Sequence, residues 1–340
     1  MASAARRRVP SGHDAERAAV LKLRALLLLA SLLVACGERA ADTPPAAARL
    51  AFDGARAFAD LEALVRIGPR PAGSEGAARA RELIRERLRQ AGWPVEDHAF
   101  TAQPLGSAPV PMVNLIARHA GASAERLILI THYDTKLIPG VEFVGANDGA
   151  SGTAVLLELA RVFAAEPLPL TTELVFADGE EAFGPNITEH DGLYGSTALA
   201  ERMQADGSLA QVRSVILVDM VGDRDLNLVS DLGSSPLLRG IFARAAASVG
   251  HGAIVDERAL MAVVDDHTPF QRRGVEHVLA LIDFQFGARV SPGPLWHTAR
   301  DDLSAVSAAS LNAVGMALVE AVRAIEEHWR IADGTGAQGD

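Results

Sequence analysis

The sequence predicts an α/β fold in which helices cover both faces of a central sheet. Short, nearly continuous apolar segments suit strands that are buried on both faces, and segments with helical spacing alternate with them along the chain. The 340 residues are 49% hydrophobic and 22% charged, which excludes a disordered chain and suffices for one large core. We therefore expect a single α/β/α sandwich of three layers, without internal repeats.

The predicted elements follow from local patterns. Spacing of Leu, Ile and Ala predicts helices over residues 54–66 and 75–91, with Ser74 as the N-cap of the second and Gly92 at its end. Apolar runs predict strands over residues 113–117, 127–133, 173–177, 215–220 and 278–282. Further helices are predicted over residues 152–165, 193–205 and 236–249, and over all or part of 303–327.

The N-terminus has the pattern of a bacterial export signal. Basic residues precede the apolar run 25–35, ALLLLASLLVA, which is too short for a permanent membrane span but suits a signal peptide. The run ends in LVAC, which resembles the lipobox in which the cysteine, here Cys36, is lipidated and becomes the mature N-terminus. The alternative is an ordinary signal peptide with a chance cysteine.

We therefore expect four segments: a signal peptide with lipobox (1–36), a tether (37–53), a catalytic domain (54–332) and a disordered tail (333–340). The protein would lie in the bacterial cell envelope, and the lipid anchor would be its only membrane contact. A net charge of −11 argues against nucleic acid as a partner. Because Cys36 is the sole cysteine, an intrachain disulfide and a cysteine-ligated metal site are both excluded.

Polar residues follow several predicted strands at the point where each ends. THYDTK, DGEE and DMVGD follow three strands, and the last strand leads through a loop to LWHT. Ligands of open α/β sheets bind outside the carboxyl ends of the strands. We therefore expect these side chains at one edge of the sheet: His132, Asp134, Asp178, Glu180, Glu181, Asp219 and His297.

So many carboxylates need a cation to converge, because their repulsion would otherwise protonate some of them. Without cysteine ligands, imidazoles and carboxylates favour zinc, with manganese or cobalt as substitutes. Two residues also have ordinary structural interpretations: Asp148, in the turn GANDGASG, could be a helix cap, and the pair Glu180–Glu181 could be a solvated turn. The pair directly follows a buried strand, which favours the site.

Seven motifs in order carry a resemblance to a known family: HYDTK, GANDGASGTAVLLELAR, FADGEEAF, GLYGS, DMVG, DDHTPFQRRGV and LWHT. Over residues 54–330 the chain resembles the zinc exopeptidases, which include bacterial leucyl aminopeptidases, aminopeptidase Y and glutaminyl-peptide cyclotransferases. The resemblance implies a mixed, mostly parallel central sheet and one or two zinc ions. The ligands it implies are Asp148, Glu181 and His297 for one ion, with Asp148 bridging to a second ion held by His132 and Asp219. Asp134 would orient the site and Glu180 would be the general base.

Two reactions on peptide N-termini fit these residues. An aminopeptidase would hydrolyse the first peptide bond with a zinc-activated water, whereas a glutaminyl cyclase would convert N-terminal glutamine to pyroglutamate and release ammonia. The stretch DDHTPFQRRGV (265–275) resembles the cyclotransferases, which implies that Asp265, Asp219 and Glu180 handle protons. Trp296, directly before His297, would form a wall of the substrate pocket, although it could instead be a core or rim aromatic. His267 could be a helix-capping histidine.

Two other motifs differ from the cyclotransferase pattern. GANDGASG is closer to the aminopeptidase pattern, and AFGPNITEHD stands where animal cyclases carry a tryptophan after the glutamate pair. These departures bear on the substrate pocket more than on the metal site. A third hypothesis, a non-catalytic envelope domain that keeps the fold for binding, conflicts with the complete set of ligand positions and the presence of the base.

Overall fold

The computed structural model describes residues 51–104, 106–164, 166 and 168–336. The predicted signal peptide with Cys36, the tether up to residue 50 and the tail residues 337–340 lie outside the described residues. Helix and strand numbers below follow the chain order.

A six-stranded sheet forms the centre of the described chain, in the order β1-β2-β4-β3-β5-β8. Strands β1 and β2 pair antiparallel, as do β2 and β4, whereas β4, β3, β5 and β8 run parallel. This confirms a mixed, mostly parallel sheet. The strands are β1 Val95–Ala102, β2 Val110–His119, β3 Arg126–His132, β4 Thr171–Ala177, β5 Val212–Asp219 and β8 Val278–Ile282. A separate parallel pair consists of β6 Leu228–Asp231 and β7 Val255–Met261.

Helices cover both faces of the sheet. They are α1 Gly54–Val65, α2 Glu75–Gln90, α3 Ala150–Phe163, α4 Tyr194–Ala205, α5 Pro236–Ser248, α6 Thr268–Gln271 and α7 Ala308–Gly336. Alternate residues of the strands enter two apolar clusters: Leu127 and Leu129 pack with α1, α2, α3, α5 and α7, and Ile128 and Ile130 pack with α4 and α6. The three-layer sandwich is thereby confirmed.

The two helices that precede the sheet form where the sequence predicts them. The Asp53 side chain accepts bonds from the amides of Ala55 and Arg56 and caps α1. Ser74 accepts from the Ala77 amide and caps α2, as predicted. Capping satisfies amides that have no partner within the helix, so these two polar residues set where each helix begins.

The long helix α7 is apolar enough to cross a membrane by length and composition. However, 61% of that apolar window is buried within the protein, and Leu311, Val314 and Leu318 belong to the main core. We therefore describe α7 as a core helix. It continues to Gly336. Glycine lowers helix propensity by about 1 kcal/mol but, unlike proline, does not block the helix.

Three strands are absent from the sequence-based prediction because they are short or incompletely buried. In β1, exposed polar side chains such as Glu96 and Asp97 interrupt the apolar pattern, because this strand lies at the sheet edge. Strand β6 has only four residues, and β7 has no fully buried side chain. A search for continuous apolar runs therefore misses them.

Candidate active site

Five side chains predicted as metal ligands lie together at the carboxyl edge of the sheet, in two overlapping groups. In the first group, His132 Nε2 lies 3.2 Å from Oδ1 of both Asp148 and Asp219. In the second, His297 Nε2 lies 3.4 Å from Asp148 Oδ2 and 3.2 Å from Glu181 Oε1. Asp148 belongs to both groups and uses a different carboxylate oxygen in each.

The fold brings these residues together because parallel strands end at the same edge. His132 is the last residue of β3 and pairs in register with Ala177, the last residue of β4. Glu180 and Glu181 follow β4 after a turn at Gly179, and Asp219 ends β5. The polar residues that end or follow these strands therefore lie at nearly the same level along the strand direction.

Asp148 and His297 come from loops instead of strand ends. The N-cap of α3 is Gly149, without a side-chain capping bond, and Asp148 faces the two histidines. The capping alternative for Asp148 is therefore wrong. Gly149 has φ +89°, and a Cβ there would lie 2.7 Å from the Asp134 carbonyl oxygen. His297 has φ +53°, a conformation that non-glycine residues seldom adopt and that is found preferentially at functional sites.

The residues around the ligands hold them in orientation. Asp134 accepts bonds from the amides of Glu180 (3.1 Å) and Glu181 (3.4 Å), and its carbonyl oxygen lies 3.2 Å from His132 Nδ1. A proton on Nδ1 leaves the lone pair of His132 Nε2 free to bind a metal. The donor set of imidazoles and carboxylates, with one ring orientation fixed in this way, therefore fits a divalent ion such as zinc.

Two further residues behind the site are absent from the predictions. Asp301 accepts bonds from the amides of Asn147 (2.6 Å) and Asp148 (3.0 Å). Arg70, fully buried, donates to the carbonyl oxygens of Tyr133 (3.0 Å) and Val144 (2.7 Å) and so joins the two ligand-bearing loops. Their only sequence signal is a charged residue within a loop, which does not distinguish them from surface charges.

The carboxylates and imidazoles of the site are electrostatically crowded. Burial and the nearby Asp265 raise the pKa of Glu180 well above its usual value. Burial and the charge of Asp219 do the same for Asp265. Burial lowers the pKa of His297, but its bonds with Asp148 and Glu181 outweigh that effect and raise it to about 9. Carboxyl groups and imidazoles that both have raised pKa values are expected at a site that binds a cation.

A cavity of about 190 Å³ opens onto these groups. Its wall includes Glu180, Asp265 and Trp296. The Trp296 ring stacks on His297 with centroids 3.8 Å apart and contacts Phe284 edge-on at 5.1 Å. Trp296 therefore lies where a pocket wall is predicted, and Asp265 lies in the same cavity as Glu180.

Two other residues singled out in the sequence lie outside the ligand groups. Asp178, expected at the same edge, is buried to one side, where its Oδ2 accepts from the Val113 amide (2.9 Å) and from Arg81 (3.2 Å). Asp178 does not join the ligand groups, because these bonds hold its carboxylate against β2 and Arg81. His267 occupies the N-cap position of α6, but its side chain makes no capping bond.

The chain is similar to known proteins in sequence and in fold. The model of peptidase family M28 matches residues 114–322. The chain is 31% identical over 286 residues to a glutaminyl-peptide cyclotransferase of Drosophila melanogaster, covering 76% of this chain and 77% of that protein. A glutaminyl cyclase structure from an Acidobacteriales bacterium superposes with a TM-score of 0.77 at 36% identity, covering 85% of this chain and all of that one.

The fold also extends to a second class of enzyme. A leucine aminopeptidase precursor of Bacteroides thetaiotaomicron superposes with a TM-score of 0.72 at 24% identity, over 81% of this chain and 98% of that one. At this identity the likeness concerns the fold alone.

Proposed function

The chain belongs to peptidase family M28, and from this premise we propose that it is a zinc-dependent glutaminyl-peptide cyclotransferase. The observation that carries the proposal is the buried pair Glu180 and Asp265 in one small cavity beside the ligand cluster. Burial and the neighbouring Asp265 raise the pKa of Glu180, which suits a group that must both take and return a proton. The cyclotransferase relatives support the same activity.

Asp148, Glu181 and His297 would hold the zinc ion for this reaction. Zinc bound there would supply Lewis-acid polarisation of the substrate's γ-carbonyl group. His132 and Asp219 complete the second donor group with Asp148, and we propose that it can take a second ion. Asp134 would orient both groups through His132 and the amides of the glutamate pair.

Glu180 would move the proton in the cyclisation. The α-amine nitrogen of the substrate attacks its own γ-carbonyl carbon, so that a C–N bond forms and the ring closes. Glu180 accepts the proton from the amine and passes it to the γ-amide nitrogen, whose bond to carbon breaks as ammonia leaves. Asp265 and Asp219 would share in this proton handling, while Trp296 walls the pocket and excludes water.

A second candidate function is aminopeptidase activity. The complete donor set around His132 and Asp219 favours it, because two adjacent ions activate water well. The same cavity and the same base would then hydrolyse the first peptide bond, and Glu180 would take its proton from water.

We expect the purified protein with zinc to convert a Gln-initiated peptide to its pyroglutamyl form. Mass spectrometry should show a loss of about 17 Da, the mass of ammonia, from the intact peptide, because ring closure releases only ammonia. A Leu-initiated peptide of otherwise identical sequence should remain intact. Release of free leucine or glutamine would instead support the aminopeptidase, and turnover of neither peptide would contradict both candidates.

We also propose that Cys36 carries a lipid that anchors the protein in the bacterial cell envelope, and Cys36→Ser should release it from membranes. The serine hydroxyl cannot form the thioether that attaches the lipid. When cells that express each form are fractionated, the wild type should be found in the membrane pellet and the variant in the soluble fraction. Equal pelleting of both forms would contradict the anchor. Ser31→Ala, within the same apolar run, serves as the control that should leave fractionation unchanged.

A further inference from the structure

One loop connects the glutamate pair to helix α4 and forms a side of the cavity. We call residues 182–192 the wall loop; its members Pro185, Asn186 and Ile187 line the cavity. The loop contains no helix or strand of its own, so its shape depends on side-chain contacts and on one backbone bond, from the Thr188 amide to the Asp191 carbonyl oxygen (2.9 Å). Those contacts therefore decide where this side of the cavity lies.

Two charged side chains hold two successive peptide groups at the start of the wall loop. Lys136 Nζ lies 2.6 Å from the carbonyl oxygen of Ala182 and donates to it. Asp191 then accepts from the amides of Phe183 (2.8 Å, Oδ1) and Gly184 (2.7 Å, Oδ2). Hydrogen bonds to a charged group are about twice as strong as neutral ones, so this end of the loop is firmly held.

Asp191 also fixes the end of the wall loop against helix α4. Its Oδ1 accepts a bond from the Tyr194 hydroxyl at 2.8 Å. The next amides, of Leu193 and Tyr194, donate to the carbonyl oxygens of Glu180 (2.8 Å) and Gly179 (2.9 Å). The single carboxylate of Asp191 thus ties the first turn of the loop to its last, across the segment that faces the cavity.

Ile187 lies close to the returning backbone of the wall loop. A Cβ on Gly192 would lie 3.0 Å from Ile187 Cγ1 and 3.0 Å from the Glu180 carbonyl oxygen. Ile187 therefore packs directly on the returning backbone. A displacement of this returning backbone, next to Asp191, would consequently move Ile187, and with it the cavity wall.

We propose that Asp191 is a positioning residue that holds the wall loop and thereby sets the affinity of the site for the substrate's N-terminal side chain. This inference rests on the proposed function for the identity of that substrate. Asp191 itself is not among the residues that line the cavity, so it acts through Pro185, Asn186 and Ile187. A wall that is fixed before binding costs less ordering entropy when the substrate enters.

Asp191→Ala should raise KM for a Gln-initiated peptide about tenfold and leave kcat within about threefold, because a loss of binding preorganisation leaves the bound chemistry intact. Hydrogen exchange at the amides of Phe183 and Gly184 should become faster, since both lose their acceptor. Zinc content should stay at the wild-type level. Asp206→Ala is the matched control, because Asp206 accepts a comparable bond from the Ser208 amide (2.8 Å) at an exposed turn away from the cavity.

A milder variant covers the case in which Asp191→Ala does not fold. Tyr194→Phe removes one of the three hydrogen bonds that the Asp191 carboxylate accepts. It keeps the ring, whose centroid lies 6.0 Å from that of Phe183 in an edge-on contact. We expect a smaller rise of KM in the same direction and faster exchange at Phe183. Unchanged KM and unchanged exchange in the folded variant would overturn the proposal.

Other outcomes separate this inference from the function on which it rests. If the wild type does not cyclise glutamine, the proposed function fails, and the KM comparison is made with whichever peptide is turned over. If it turns over neither, unchanged exchange at Phe183 and Gly184 in Asp191→Ala would still overturn the positioning role, and faster exchange would support it. A loss of kcat together with zinc would show that Asp191 supports the ligands instead of the wall, which also overturns the proposal.

Discussion

Replacing Glu180 with glutamine should lower kcat for a Gln-initiated peptide by roughly 10²- to 10⁴-fold, the range that general acid–base catalysis contributes. Glutamine keeps the shape of the side chain but cannot accept a proton. The Glu180 amide still bonds to Asp134, so the adjacent ligand Glu181 should stay in place. The measurement is steady-state kinetics combined with the zinc content of the purified variant.

The same substitution should not weaken the fold. Burial and Asp265 raise the pKa of Glu180, so its ionised form costs stability in the metal-free protein as pH rises through that value. At pH 7 the variant without metal should therefore unfold at the same temperature as the wild type or higher. Glu276→Gln, an exposed carboxylate before the amino end of β8 and so at the opposite edge of the sheet from the site, is the control and should alter neither activity nor melting. Near-native kcat in Glu180→Gln would exclude Glu180 as the base.

The edge of the sheet that carries the site could be predicted because strand ends are visible in the sequence. His132 and Asp219 each terminate a run of buried apolar residues, and parallel strands place such ends together. Strand β8 has the predicted bounds, residues 278–282, since all five of its residues are buried. Strand β4 is also buried throughout but begins two residues before its predicted start, because Thr171 and Thr172 interrupt the apolar pattern.

Other parts of the site could not be predicted from local patterns. A carboxylate before a helix, as at Asp148, usually indicates a cap, and only the family resemblance assigned it to a metal. Arg70 and Asp301 act on loops that are distant in sequence, so no spacing rule connects them. Asp178 was misplaced because a residue directly after a strand can turn to either side of the sheet, and its bond to the Val113 amide decides which.

His297→Ala should lose zinc and activity together. His297 contributes the nitrogen donor of its group, and the remaining carboxylates of Asp148 and Glu181 would repel each other without it. Even the loss of a residue that only orients a ligand weakens metal binding by about 10- to 100-fold, so the loss of a ligand should cost at least about 100-fold. Zinc per chain after dialysis, measured by atomic spectroscopy, checks this alongside turnover of the Gln-initiated peptide.

His132→Ala provides the decisive comparison, because it removes the nitrogen of the other donor group and leaves the one around His297 complete. If one ion held by Asp148, Glu181 and His297 suffices for cyclisation, His132→Ala should retain zinc, whereas His297→Ala should not. Loss of one of two bound ions in each variant would instead indicate that both groups are occupied. His190→Ala, an exposed histidine of the wall loop, controls for nonspecific zinc binding. Undiminished zinc in His297→Ala would remove His297 from the ligand set, and the proposed position of the substrate's γ-carbonyl group would then be wrong.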